Sequence, residues 1–575
     1  MKYKNLQKIL ISKNTPILKI LHKIKLNENN LSVPKNLFII TNKQKKILGT
    51  LTDGDLRRFF LNGGKPTNKV YEAMNKDPIY FNVNDNYQEI VNKLPFILKK
   101  KSRKSKIFLD KIIFVKSDIP QFVVDYNDLN TNYKKIVKKV SIVGLGYVGL
   151  TFALFLAKSG FRVIGIDSDK RKVSQLIKKQ TYVYEKGIEK ILSEQLNKNL
   201  IVDNKIIGDS DVYIIAVSTP INKNKDIDTK NIISATKNVA KKISKDSLII
   251  IRSTVPIGFT NRVIIPILEK YSKMKIGEDF NVSFAPERTL TGNAMKELMD
   301  LPQIISGYSK LCLERCEDFF KNLNSDIIKV DKIEIAEMSK LMNNSIRDLK
   351  FSFSNQMAQI CSKFDIDINK SIYASNQSYP RDLIPYPSFG VGGSCLTKDP
   401  YILSHVIKDK KTSLNFLARK VNDDFIDFQL NRIINEIKNS KKNLKNINIM
   451  ICGLAFKGNP ETSDIRKSTS IELAKKIKKR FKRVHGYDPL VDASVAKKNG
   501  IIHAKIPRDF KNKDVIIFMT NHLSFKNIDF IKMISMMNNN PIIFDVWSNF
   551  PKSSFSKSKS FKYMNLSVVK NYSNR

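Results

Sequence analysis

Cys395 follows a glycine-rich loop, Gly390-Val391-Gly392-Gly393-Ser394, and precedes Lys398 and Asp399 by three and four residues. Glycines let a backbone approach a ligand closely. A neighbouring ammonium favours the thiolate, the form of cysteine that attacks carbonyls. Far upstream lies a phosphate-cradling pattern, Gly144-Leu145-Gly146-Tyr147-Val148-Gly149. The two together predict an oxidoreductase that forms a covalent thio-intermediate. Taken alone, the cysteine loop reads equally as a turn with a buried cysteine.

The elements that must position these residues are legible as four blocks. Residues 1–130 alternate short apolar strands with amphipathic helices, and Tyr133-Lys134-Lys135 reads as a linker. From 138 to 325, Val140-Ser141-Ile142-Val143 is a short buried strand, the glycine pattern is a turn, and Leu150 to Ala157 is an apolar helix. The following strand, Arg162 to Ile166, ends in Asp167. Strand, Gly-x-Gly-x-x-Gly, helix and a delayed acid form the dinucleotide fingerprint, with the pyrophosphate at the helix N-terminus. Asp167 would accept hydrogen bonds from the adenosine ribose and repel a 2′-phosphate, which favours NAD over NADP. Lys172 would stand beside that ribose, or serve as an exposed helix lysine. Strands ending in Ser218-Thr219-Pro220 and Ser253-Thr254-Val255-Pro256 aim Ser218, Thr219 and Thr254 at the cofactor or substrate, because ligands of open parallel sheets bind at the carboxyl ends of the strands. Val282 to Arg288 repeats that arrangement.

Residues 326–435 are mainly helical, and Lys340 and Asn344, four apart, share one helix face. Such a pair aims an ammonium and an amide at a common point. From 445 to 560, Ile447 to Ile451, Val484-His485-Gly486-Tyr487 and Val515 to Phe518 alternate with helices and imply a second doubly wound domain.

In order and spacing these motifs resemble the UDP-glucose/GDP-mannose dehydrogenase family, the nucleotide-sugar 6-dehydrogenases, over about residues 138–550. The matching pieces are the Gly144 fingerprint, Ser253-Thr254-Val255-Pro256, Ala285-Pro286-Glu287-Arg288, the Lys340/Asn344 helix, Gly392-Gly393-Ser394-Cys395 and Gly453-Leu454-Ala455-Phe456-Lys457. The resemblance implies an α/β fold: two Rossmann-like doubly wound domains joined by a central helical region that carries a dimer interface. It also implies an NAD-dependent, four-electron oxidation of the C6 hydroxyl of a UDP-sugar to the uronate, a precursor for surface polysaccharide. Cys395 would form a thiohemiacetal and then a thioester, splitting a hard step into easier ones. Lys340 and Asn344 would stabilise the oxyanion. Asp399 and Thr254 would position water and assist proton transfer, and Glu287 would help hydrolysis. Glu287, Arg288, Lys340, Asn344, Arg381, Gly392, Gly393 and Lys457 would line the substrate site. Gly144, Gly146, Tyr147, Val148, Gly149, Asp167, Lys172, Ser218, Thr219, Thr254 and Arg466 would line the NAD site. Pro286 to Thr289 with Leu301 to Gly307 looks like the UDP-N-acetylhexosamine branch (N-acetylmannosamine or N-acetylglucosamine), whereas Ser394 to Asp399 is closer to the UDP-glucose branch. The hexosamine branch is preferred.

The first block resembles a CBS domain, whose Gly-x-x-Thr-x-x-Asp falls here on Gly49, Thr52 and Asp55, with a weaker second copy at Asp125 and Asp128. That resemblance implies an adenine nucleotide at a small α+β module, or a purely structural, oligomerising role. A regulatory nucleotide-binding protein without catalysis predicts loss of Cys395, Lys340 or Asp399, and all three are present.

Composition sets the outer limits. A chain of 575 residues suggests about three to five domains. The net charge of +46 comes from lysines spread along the chain, with no basic block interleaved with aromatics, so no nucleic acid partner is expected. Cys312 and Cys316 lack further ligands nearby and read as packing; no metal is expected. Five cysteines without a repeating spacing, no apolar segment of membrane-spanning length and no signal peptide point to a cytoplasmic protein; the family resemblance implies a homodimer or higher homo-oligomer.

Overall fold

The computed structural model describes residues 2–573 apart from 4–5, 28–33, 35–36, 84, 86–89, 91–96, 98–110, 126–138, 223, 322, 324–325, 408, 410–411, 441, 443–445 and 482. The chain divides into two compact units, Met1–Val137 and Lys138–Arg575.

The first unit holds two small sheets. One orders Leu10–Ser12, Leu37–Thr41 and Ile47–Thr52; the other orders Lys2–Tyr3, Ile119–Asp125, Lys111–Lys116 and Tyr80–Asn82. Ile9, Ile17, Ile39, Ile40, Leu51 and Leu56 form its core. Thr52 and Asp55, the residues that the CBS resemblance would turn toward a ribose, close a capping box on the helix Asp53–Leu61. The Thr52 N–H donates to Asp55 Oδ2 at 2.8 Å, and Arg58 pairs with Asp55 Oδ1 at 2.6 Å. They are the N-cap and third residue of that helix, where such side chains answer orphan N–H groups. Asp128 and the Tyr133-Lys134-Lys135 linker lie outside the described residues.

The second unit is built on two twisted sheets. The first runs Leu200–Asp203, Arg162–Ile166, Lys139–Val143, Val212–Ile215, Leu248–Ile251, Asn281–Phe284, Gln303–Gly307 and Ile327–Lys329. The pairing of Asn281–Phe284 with Gln303–Gly307 is antiparallel and the rest are parallel. Every residue of the strands Val212–Ile215 and Leu248–Ile251 is buried, as expected where helices cover both faces of a parallel sheet. Chain order reverses between Lys139–Val143 and Val212–Ile215, which opens the ligand crevice beside Gly144. The second sheet repeats the plan with Ile502–His503, Arg483–Tyr487, Asn448–Cys452, Val515–Phe518, Ile542–Asp545, Phe561–Met564 and Val569–Tyr572. Its last two strands lie beyond residue 560, past the boundary drawn from sequence, because they pair with each other as antiparallel neighbours with no helix between them to mark the repeat.

Two long helices, Ile333–Lys363 and Leu414–Asn439, join the sheets. A buried polar network sets their register. Arg419 donates to Asp348 at 2.7 Å, Asn422 to Asp348 at 2.8 Å, and Asn355 to Asn422 at 2.9 Å. Burial pushes the Asp348 carboxyl up to about 6, against the pull of Arg419. A network so enclosed tolerates only one alignment of the helices. That alignment fixes where Lys340 and Asn344 face. Cys312 and Cys316 are buried on the helix Lys310–Lys321, as packing residues.

Candidate active site

The cysteine loop is threaded between the second long helix and the second sheet's first crossover. Gly393 has φ of +89°, and a Cβ there would stand 3.0 Å from the Phe456 ring; only glycine fits both demands. Its N–H donates to Lys467 O at 3.3 Å. Thr397 Oγ1 returns to Gly393 O at 2.7 Å, and the N–H groups of Lys398 and Asp399 donate to Cys395 O at 3.0 and 2.9 Å. The turn leaves the Cys395 thiol exposed, against the reading of a buried structural cysteine. Arg466 is paired with Asp464 at 2.6 Å. Burial opposes its charge, but the Asp464 hydrogen bond and charge outweigh burial and raise its pKa.

Behind the thiol lies a buried cluster. Lys340 Nζ donates to Glu287 O, and one helical turn on Asn344 donates to Asp399 Oδ2 at 2.6 Å. Lys398 Nζ lies 2.8 Å from the other Asp399 oxygen and 3.4 Å from Thr219 Oγ1, which donates to Thr254 O at 2.7 Å. Lys340, Asn344 and Asp399 are all at most 9% exposed. Glu287 is held by Arg252, whose Nε and Nη2 reach Oε2 at 3.2 and 2.5 Å, and by the Thr289 N–H at 2.7 Å. Burial works to raise the Glu287 pKa, but Arg252, the Thr289 N–H and Lys340 outweigh it, and the carboxyl lies below its usual range. Thus Lys340, Asn344, Asp399, Glu287, Thr219 and Thr254 converge. An ammonium, an amide and two carboxylates in one buried cluster, joined through Asp399 to the turn that carries an exposed thiol, suit capture of a carbonyl and hydrolysis of the adduct.

Other residues stand apart. Arg381 is exposed, with its guanidinium 5.8 Å from the neighbouring Tyr379 ring. Arg288 donates to Pro302 O, and burial lowers its pKa. Ser218 is exposed and accepts from Asn231 at 3.3 Å. Lys457 donates to Thr291 O at 2.6 Å; burial, with Arg347 adding to it, brings its pKa down to about 8. Sequence reasoning did not single out Arg252 or Glu185. Arg252 carries the one available signal, a charge directly after the apolar run Leu248–Ile251.

The fingerprint region fits a dinucleotide. A Cβ on Gly149 would stand 1.8 Å from Gly144 O, so the helix Tyr147–Lys158 lies directly on the turn. A Cβ on Gly146 would meet nothing within 4 Å, which leaves the backbone open to a pyrophosphate. Asp167 Oδ2 accepts from Leu145 N–H at 3.0 Å and from Lys172 Nζ at 3.1 Å. Val148 packs on the core below.

Three domains of one known family match this architecture. They are described as the UDP-glucose/GDP-mannose dehydrogenase family's NAD binding domain over residues 138–324, its central domain over 334–424 and its UDP binding domain over 450–552. The chain is 30% identical over 423 residues to a UDP-N-acetyl-D-mannosamine dehydrogenase of Methanococcus aeolicus, covering 73% of this chain and 93% of the relative. It is 29% identical over 398 residues to a UDP-N-acetyl-D-glucosamine 6-dehydrogenase of Salmonella typhi, covering 68% and 91%. The solved structure of a Pyrococcus horikoshii UDP-D-ManNAc dehydrogenase superposes with a TM-score of 0.68 at 28% identity, over 75% of this chain and 99% of that one.

Proposed function

The chain belongs to the UDP-glucose/GDP-mannose dehydrogenase family, and on that premise we propose that it is an NAD-dependent UDP-sugar 6-dehydrogenase acting on UDP-N-acetylmannosamine or UDP-N-acetylglucosamine. The observation that carries the reaction class is the buried Lys340, Asn344, Asp399 and Glu287 cluster behind the exposed Cys395 turn. The choice of sugar rests on relatives named for those two substrates.

NAD, when bound, supplies a two-electron acceptor for each of two oxidations at C6. The chain's own residues handle carbon and protons. The Cys395 thiolate attacks the C6 aldehyde, forming a C–S bond while the carbonyl π pair becomes an oxyanion. Lys340 and Asn344 donate hydrogen bonds to that oxyanion. After the second oxidation C6 is a thioester; water, oriented by Asp399 and Thr254 with Glu287 assisting, adds to it. The C–S bond breaks, the thiolate leaves and the uronate is released. Lys457 and Arg288 bind the substrate, and Arg381 does so from a neighbouring subunit.

We read the enzyme as a cytoplasmic homodimer or higher homo-oligomer supplying surface polysaccharide precursors. Ile335, Met342, Ile346, Phe353 and Ile360 form an exposed apolar stripe along the first long helix, the kind of seam a second copy covers. No helix among the described residues is long and apolar enough to cross a membrane. For the first unit, only the Gly49, Thr52 and Asp55 spacing supports a CBS-like module taking an adenine nucleotide, since Thr52 and Asp55 are engaged in the helix cap. A chain beginning at Lys138 should then lose any response of activity or oligomer size to AMP or ATP.

The deciding experiment follows NADH formation with UDP-N-acetylmannosamine, UDP-N-acetylglucosamine, UDP-glucose and GDP-mannose supplied separately. Two NADH per sugar with one hexosamine substrate is expected. Silence with all four, in protein that still binds NADH, would overturn the proposal.

A further inference from the structure

Four segments of the second unit meet at the turn Thr291-Gly292-Asn293. The Gly292 N–H donates to Glu185 Oε1 and to the Tyr147 hydroxyl, the latter at 3.0 Å. The Ala294 N–H donates to the other Glu185 oxygen at 3.2 Å. From the opposite side Lys457 Nζ donates to Thr291 O at 2.6 Å. There is no slack in the turn. Gly292 has φ of +88°, and a Cβ there would lie 2.5 Å from Glu461 O and 3.0 Å from Pro460 Cβ. Glu185 itself is 4% exposed and precedes the helix Ile188–Gln195. It has no part in the chemistry above.

We propose that Glu185 is a positioning residue that locks the 291–294 turn between Tyr147 of the dinucleotide fingerprint and Lys457 of the UDP-binding lobe, so that cofactor and nucleotide-sugar tighten each other's binding. The proposal deepens the UDP-sugar dehydrogenase reading and rests on it. Tyr147 opens the helix whose preceding turn receives the pyrophosphate, so a ligand that orders this helix start also orders the Gly292 contact. The same turn presents the carbonyl that holds Lys457. A carboxylate suits the role because both of its partners are N–H donors, and an amide would offer one acceptor and one misplaced donor. Burial raises the Glu185 pKa to about 7, while the two N–H donors and Lys457 favour the charged carboxylate that accepts from both.

The test is calorimetric titration of UDP into the full-length protein with and without saturating NADH, for wild type, Glu185→Gln and Tyr147→Phe. In wild type NADH should tighten UDP by about fivefold or more, and UDP should tighten NADH by the same factor, as linkage requires. In Glu185→Gln the factor should fall to within about twofold of unity. Should that variant not fold, Tyr147→Phe, which removes one acceptor and keeps the ring, carries the same expectation of a reduced factor. A merely structural role would shift both affinities and leave their ratio alone. Normal binding of both ligands with no coupling in wild type, or undiminished coupling in the variants, would overturn the inference alone. Failure of wild type to bind either ligand would overturn it together with the function it rests on.

Discussion

Replacing Arg252 by methionine separates the electrostatic support of the site from its fold. The guanidinium, about 1% exposed, meets Glu287 through two nitrogens, donates to Ala285 O at 3.2 Å and Gln303 Oε1 at 3.0 Å, and lies 4.1 Å from the Phe152 ring centroid. Methionine fills much of that volume and keeps contact with Phe152, so the chief loss is charge. Removing one partner of a buried pair costs about 3–5 kcal/mol, because the other charge stays enclosed. Glu287 keeps the Thr289 N–H and the Lys340 charge, which places the expected loss toward the lower end, ~3 kcal/mol. The sign of the pH dependence should also change. In the wild type the Glu287 pKa is depressed, so its contribution is present above the unfolded pKa and lost as pH falls through the folded one. Without Arg252, burial is the dominant influence and the pKa rises above the unfolded value. The carboxyl then favours the fold only while protonated, and stability falls as pH climbs from about 4.5 toward the new folded pKa. Urea unfolding followed by circular dichroism, across that pH range, reads both effects. The double variant Arg252→Met/Glu287→Gln should recover roughly 2 kcal/mol or more of the loss, since it leaves no buried carboxylate stripped of its arginine. A single-variant loss below about 1 kcal/mol, or a double variant less stable than the single one, would refute the reasoning.

Three other outcomes are expected. Cys395→Ser should cut uronate release by roughly 10³-fold or more while UDP-sugar still binds in calorimetry; an active variant would exclude the covalent route. Gly149→Ala would force a methyl into Gly144 O, and NADH affinity by fluorescence titration should fall at least about tenfold, ~1.4 kcal/mol; an unchanged Kd would mean that the helix can shift. Lys457 has its pKa lowered to about 8, first by burial and then by Arg347, and under the proposed function it would bind substrate as the cation. The kcat/KM for UDP-sugar should therefore decline as pH rises through about 8; Lys457→Arg, permanently charged, should remove that decline, and an identical profile in the variant would exclude Lys457 as its source.

What the sequence disclosed and what it withheld divide along chain separation. The fingerprint, the Lys340/Asn344 face and the Cys395 loop are each local: their spacing within a turn or helix already fixes which way the groups point. Thr52 and Asp55 are local too, yet their nearest partners are each other and Arg58, which spacing alone does not reveal. Arg252 meets Glu287 from 35 residues away, and Asp348 meets Arg419 from 71; no pattern in either stretch names its partner. The withheld residues have a common character. Arg252, Glu185 and Asp348 are outside the expected site residues, yet each holds an element beside one of them. Motif spacing encodes the groups that meet the substrate, because short segments present them. Their charge states are set by strand ends and crossovers that only the folded sheets bring together. A sequence reading of this enzyme therefore reaches the thiol, the ammonium and the carboxylates, while the charge state of Glu287 depends on an arginine that closes an otherwise apolar strand.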